Sequence, residues 1–105
     1  MDRNDLESKL ENFKKACIEM DYVDADKEIL DIEESFPGMI PTSYIVNVHV
    51  KNHWLDQAIH RQAYKALTDL LYEKTEMDAL IKILALRMCS NDGLRNFESS
   101  PTEIA

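Results

Sequence analysis

Three histidines and an aspartate, residue types that often bind divalent metals or transfer protons, lie close together near the middle of the chain: His49, His53, Asp56 and His60. On one continuous helix, at about 100° per residue, these side chains would fall within roughly 60° of each other. Imidazole and carboxylate groups in that arrangement suit zinc. If the chain bends near residues 51 to 53, the cluster is dismantled. We therefore expect no metal or cofactor, and keep these four residues as the alternative metal site.

Other catalytic patterns are missing from the sequence. It contains no G-x-S-x-G motif, no phosphate-binding glycine loop and no paired C-x-x-C, and its 2 glycines leave little scope for strained catalytic turns. The two cysteines, Cys17 and Cys89, are far apart, and the N-terminal residues show no apolar signal region. We predict a non-enzymatic protein of the cytoplasm with both thiols reduced.

Composition narrows the class of partner. The 105 residues are 45% hydrophobic and 30% charged, and 20 acidic against 12 basic residues give a net charge of −8. An acidic surface is repelled by nucleic acid and by anionic membranes, and no stretch is apolar enough to span a bilayer. The expected partner is another protein or peptide, either basic or prone to aggregation, and a homo-oligomer is left open.

The elements that would position these residues are predicted to be helices. Apolar residues recur at helical spacing in residues 4–19 and again in residues 22–35. The outer face of the second helix would carry an acidic surface that includes Asp24, Glu28 and Asp31. Pro37 and Gly38 would end that helix.

The segment 42–51 is ambiguous, because its valines alternate with polar residues as they do in a strand. Since no second convincing strand is evident to pair with it, we predict a helix and keep the strand as the alternative. Helices over 53–73 and 76–90 complete an all-α fold of about five helices, either a small bundle or stacked antiparallel hairpins. Residues 1–92 would form one domain, and 93–105 a polar, flexible tail.

The fifth predicted helix is apolar on two sides. One side would pack in the core, and the second, formed by Ala79, Ile83 and Leu86, would be left for a partner. A small domain has few elements with which to cover both sides, although complete burial between helices one and four is the alternative.

The segment MDYVDADKEILDIEESFP resembles the turn and second helix of a tetratricopeptide repeat. The matching positions are Tyr22, Ala25, Ile29 and Pro37, and Leu55 and Ala58 repeat the first two about one repeat length later. This resemblance implies stacked helical hairpins that bind a polypeptide on their inner face. Lys14, Asn47 and Lys51 would contribute to that face.

Three functions follow from these observations. The first is a small acidic adaptor or chaperone, such as a secretion-type chaperone, that holds a partner in an apolar groove. The second is an acidic inhibitor, antitoxin or immunity protein that masks a basic site. The third is a histidine-based metal protein.

Overall fold

The computed structural model describes residues 2–36 and 43–92, which fold into helices and a sheet. The elements in chain order are α1 (Arg3–Lys9), α2 (Glu11–Glu19), β1 (Leu30–Glu34), β2 (Tyr44–Val50), a 3-10 helix (Asn52–Leu55), α3 (His60–Lys74), α4 (Met77–Leu80) and β3 (Ile83–Ser90). The fold class is therefore α+β, and the prediction of an all-α helical bundle is wrong.

The sheet has the strand order β1-β2-β3, with β2 in the centre. β1 pairs with β2 in the antiparallel sense, so that Ile32 lies opposite Val46. β3 pairs with β2 in the parallel sense, with Asn47 beside Arg87 and His49 beside Cys89. Two parallel neighbours need a long crossover connection, and the 3-10 helix, α3 and α4 supply it.

The hydrophobic core lies between the helices and one face of this sheet. Because strand side chains alternate between faces, this face takes every second residue of each strand. The strand side chains in the core are Leu30, Ile32, Tyr44, Val46, Val48, Val50, Leu86 and Met88. The helices contribute Leu6, Leu10, Phe13, Cys17, Ala63, Leu67, Leu71 and Ala79.

The first predicted helix is confirmed, although it is divided into two. Leu6, Leu10, Phe13 and Cys17 are all fully buried, as their helical spacing predicts. Asp2 caps α1 through a capping box with Asp5. Leu10 ends α1 and precedes α2, and its N–H donates to the carbonyl of Glu7 at 3.1 Å.

The second and third predicted helices are wrong. In β1 the buried Leu30 and Ile32 alternate with the exposed Asp31 and Glu33, which is a strand pattern. A strand at residues 42–51 was rejected because no partner strand was evident. The structure supplies two partners, β1 on one side and β3 on the other. With both neighbours in place, the backbone groups of the β-branched segment Tyr44–Val50 are paired, and its strand preference prevails.

The fourth predicted helix is shorter than expected, since its first part is the 3-10 helix and α3 begins at His60. The fifth is wrong beyond Leu80, because Ile83–Ser90 is strand β3. Ala79 is fully buried and Leu86 is 6% exposed. Both belong to the core cluster, and the half-buried Ile83 packs against it.

The resemblance to a tetratricopeptide repeat is also wrong, because the segment that carries it forms a loop and a strand rather than a helix. Three predictions lie outside the described residues: the helix stop at Pro37, the helix start at residue 42 and the tail at 93–105. Within the described part of the chain, no helix has the length and apolar character needed to cross a membrane.

Candidate functional site

The second face of the sheet carries the polar residues of the strands, and we call it the polar face. It consists of Asp31 and Glu33 from β1, Ile45, Asn47 and His49 from β2, and Ala85, Arg87 and Cys89 from β3. None of these residues belongs to the hydrophobic core cluster. Among residues 2–36 and 43–92, the helices contribute their buried side chains to the opposite face.

Asn47 lies at the centre of the polar face and is only 3% exposed. Its side-chain amide donates to Glu33 Oε2 at 2.7 Å, and its Oδ1 atom accepts from Cys89 Sγ at 3.9 Å. Arg87 Nη2 lies 3.4 Å from the same Glu33 oxygen. One network thus joins all three strands, and these contacts satisfy the buried amide.

His49 is the second buried polar side chain of β2, with 10% of its side chain exposed. Its Nδ1 atom lies 3.4 Å from the carbonyl oxygen of Ser90. Its Nε2 atom is buried without a hydrogen-bond partner, and the nearest carboxylate oxygen, Glu28 Oε1, is 3.9 Å away. Buried polar atoms are normally satisfied; His60 Nδ1 and Thr75 Oγ1, away from this face, are also buried without a hydrogen-bond partner.

Three carboxylates lie along the β1 side of the polar face. Asp31 and Glu33 are exposed, and Glu28, 70% exposed, approaches His49 from the connection that precedes β1. Alternate residues on one side of a strand are roughly 7 Å apart. Together the three form a row of negative charge, which we call the acidic row. Arg87 pairs with Glu33 of this row at 3.4 Å, and Arg3 Nη1 donates to the carbonyl oxygen of Ile32, between Asp31 and Glu33, at 3.3 Å.

Asp24, the third predicted member of the acidic surface, lies instead near the carboxyl ends of β2 and β3. It accepts a hydrogen bond from the side chain of Asn91 and lies 3.8 Å from Lys51 Nζ. Lys51 also forms a hydrogen bond and ion pair with Asp21. This hydrogen bond and the charge of Lys51 lower the pKa of Asp21. The same hydrogen bond raises the pKa of Lys51. These contacts hold the loop after α2 against the end of the sheet.

The remaining predicted site residues are scattered. Lys14 lies on α2, on the helical side of the sheet, where it pairs with Glu11 at 3.4 Å. It is therefore separated from Asn47 and Lys51, with which it was predicted to share a surface. Ala79, Ile83 and Leu86 pack in or against the core; that they bind a partner stays a prediction.

The four residues of the alternative metal site do not meet. His49 is on β2, the ring of His53 packs against Trp54 with centroids 4.5 Å apart, Asp56 accepts from the N–H of Ala58, and His60 begins α3. Among the described residues, no three or more His, Cys, Asp or Glu side chains form a group that could hold a metal ion.

Glu33, Arg87 and Cys89 were not predicted to share one surface. The signal was the period-two alternation in three segments, with polar residues at 31 and 33, at 47 and 49, and at 87. That pattern predicts one polar and one apolar face once the segments are aligned as strands. Interpreted as helices, the same residues point in unrelated directions.

The chain was compared with models of known protein families, with curated proteins and with solved structures, and none of the three comparisons finds a match.

Proposed function

We propose that this chain is a non-enzymatic binding protein that covers a basic surface of another protein, in the manner of an acidic inhibitor, antitoxin or immunity protein. The observation that carries the proposal is the acidic row beside a sheet whose described helices all lie on the opposite face. Beside the row, His49 Nε2 is buried without a hydrogen-bond partner, 3.9 Å from Glu28 Oε1.

The charges support a basic partner. The net charge of −8 attracts cationic proteins over a distance, and carboxylates on a face rather than in a cleft suit a protein surface better than a small molecule. The Asn47 network holds Glu33 in a fixed position. A fixed carboxylate loses less conformational freedom when a lysine or arginine of the partner binds to it.

The adaptor or chaperone function stays a second candidate because three apolar side chains near the amino end of β3 are exposed. They are Met77 at 69%, Ile81 at 69% and Leu84 at 57%. Exposed apolar side chains support contact with an aggregation-prone partner. The two candidates differ in their salt dependence, since added salt screens charge contacts and strengthens apolar ones.

The test uses two double variants with the same change in charge. Glu28→Lys with Asp31→Lys reverses the acidic row, whereas Asp69→Lys with Glu73→Lys reverses two exposed carboxylates of α3. A partner is recovered with the wild-type protein as bait, and its association rate with each variant is measured at several salt concentrations.

We expect reversal of the acidic row to slow association at least about tenfold and to flatten its salt dependence. The α3 variant should stay near the wild-type rate. Equal losses in both variants would show that only the overall charge matters, and unchanged association in both would place the partner elsewhere on the molecule.

A further inference from the structure

The outer edge of β1 has no neighbouring strand in the part of the chain that the structure describes. In an antiparallel pair, residues that bond to the neighbouring strand alternate with residues whose N–H and carbonyl groups point away from it. The N–H of His49 donates to the carbonyl oxygen of Ile29 at 2.8 Å, and the N–H of Ser35 donates to the carbonyl oxygen of Ser43 at 2.9 Å. The odd-numbered residues along β1 therefore bond to β2, and the even-numbered residues point outward.

The outward main-chain groups belong to Leu30, Ile32 and Glu34. Their N–H groups donate to no acceptor among residues 2–36 and 43–92. One of their carbonyl oxygens is engaged, since that of Ile32 accepts from Arg3 Nη1 at 3.3 Å. The side chains of Leu30 and Ile32 are buried in the core, so this edge offers main chain to a partner. An unpaired strand edge can add a strand from another chain.

The charges beside this edge select the kind of strand that can pair with it. Asp31, Glu33 and Glu34 are all exposed. In a strand added in the antiparallel sense, the residues opposite Asp31 and Glu33 have their side chains on the polar face, directly beside these two carboxylates. Lysine or arginine at those positions forms cross-strand ion pairs, whereas the acids of a second copy of β1 would be repelled. The charges thus favour a basic strand over self-pairing.

We propose that the cationic partner binds as an extended segment with lysine or arginine at every second residue, which adds to the sheet antiparallel to β1. This inference rests on the proposed function of the acidic row and specifies the conformation of the partner. Main-chain bonds would supply affinity, and the alternate basic side chains would supply specificity. Arg3, whose own side chain donates to this edge, shows that a cationic group is accommodated there. A carbonyl oxygen has two lone pairs, so that of Ile32 can also accept from an added strand.

The first experiment follows amide hydrogen exchange by NMR, with and without a peptide of alternating lysine and serine. The peptide would pair with the N–H groups of Leu30, Ile32 and Glu34. With free peptide at about ten times its dissociation constant, exchange at these three amides should slow about tenfold, because only the unbound fraction exchanges freely. Arg61 and Gln62 are the control, since their amides lie in the first turn of α3, where N–H groups have no acceptor within the helix.

Unchanged exchange at the three outward amides, while chemical shifts still place the peptide at the acidic row, would overturn strand addition and leave the proposed function standing. In that case only side chains bind the peptide. Equal slowing at Arg61 and Gln62 would also overturn strand addition. If the peptide does not bind at the acidic row at all, the proposed function fails, and this inference fails with it.

The second experiment changes the peptide and leaves the protein as it is, so no variant can fail to fold. In antiparallel addition the serine residues lie opposite Leu30, Ile32 and Glu34 and exchange main-chain hydrogen bonds with them, while the lysine N–H groups point to solvent. One peptide is therefore N-methylated at every serine. Its matched control has the same charge and side chains and is N-methylated at every lysine.

Methylation at serine should weaken binding at least about tenfold through the lost hydrogen bonds, and methylation at lysine by no more than about twofold. If both methylated peptides bind like the parent peptide, no main-chain pairing takes place. If the lysine-methylated peptide is the weaker one, the pairing is not antiparallel. Equal weakening of both would assign the loss to the stiffened peptide backbone. Each of these three results would overturn the proposal.

Discussion

Asn47 shows how a single buried amide can define the alignment of a sheet. A strand shifted by one residue turns every side chain to the other face, which would place Asn47 in the apolar core without Glu33 or Cys89. A buried amide that loses its partners carries the full cost of desolvation. The network of Asn47, Glu33 and Arg87 therefore stabilises this register against its neighbours.

Replacing Asn47 with leucine should lower the free energy of unfolding by about 1–3 kcal/mol, because Glu33 loses a hydrogen bond and the tie across the strands is broken. Urea denaturation measures the change. Asn12→Leu on the exposed surface of α2 is the control, with an expected effect within about 0.5 kcal/mol. Equal effects of the two substitutions would show that the amide network does not stabilise the sheet.

Cys17 is fully buried, and burial raises the pKa of its thiol from 9.0 to about 12. Since the thiolate is the reactive form, a shift of 12 − 9 = 3 pH units should slow alkylation of the folded protein about a thousandfold. Below pH 9 the thiol is protonated in both the folded and unfolded states. As the pH rises from 9 towards 12, the Cys17 thiol ionises in the unfolded chain before it ionises in the folded protein. Cys17 therefore lowers the free energy of unfolding over this pH range.

Mass spectrometry of alkylated peptides measures the first effect, and urea denaturation at alkaline pH measures the second. Between pH 9 and 12, the free energy of unfolding should fall less in the Cys17→Ala variant than in the wild-type protein. Rapid labelling of Cys17 in the folded protein at neutral pH would contradict its complete burial in the hydrophobic core.

At the scale of elements, the N-terminal helices were predictable because a long stripe of Leu6, Leu10, Phe13 and Cys17 fits a helical period and no strand period. The segment 29–32 is too short to distinguish the helical spacing of apolar residues from the alternation of a strand. Its strand form depends on pairing with β2, which lies beyond the connection that follows. The sequence of β3 is rich in Leu, Ala and Met, which favour helices in isolation, and its pairing with β2 overrides that preference.

A matched pair of substitutions in β3 tests this assignment. Leu86 is 6% exposed and packs in the core, whereas Leu84 is 57% exposed, at the point where the register of β2 and β3 shifts. Leu86→Asp should cost more than about 4 kcal/mol, because a carboxylate would be buried among apolar side chains. Leu84→Asp should change stability by no more than about 0.5 kcal/mol.

Thermal unfolding or circular dichroism of both variants gives the answer. If Leu86→Asp is tolerated and Leu84→Asp is not, the two faces of β3 are exchanged. That result would also remove Arg87 and Cys89 from the polar face, and the Asn47 network with them.

At the scale of the molecule, length and composition predicted a single acidic domain and a protein partner that is either basic or prone to aggregation. They did not predict which surface would bind that partner. A helical arrangement put Asp24, Glu28 and Asp31 on one face. In the folded chain Asp24 binds Lys51 and Asn91 at the end of the sheet, while the other two border the polar face. The acidic row depends on which strands become neighbours, and single segments do not encode that order.

The most direct test of the acidic row is a map of amide chemical shifts during titration with a peptide of alternating lysine and serine. We predict that the largest changes fall at residues 28–33 and on the polar face at residues 45–49 and 85–89, and that they shrink when salt is added. Changes spread evenly over Asp69, Glu73 and the other exposed carboxylates of the helices would contradict the account, because any acidic protein would then bind the peptide in the same way.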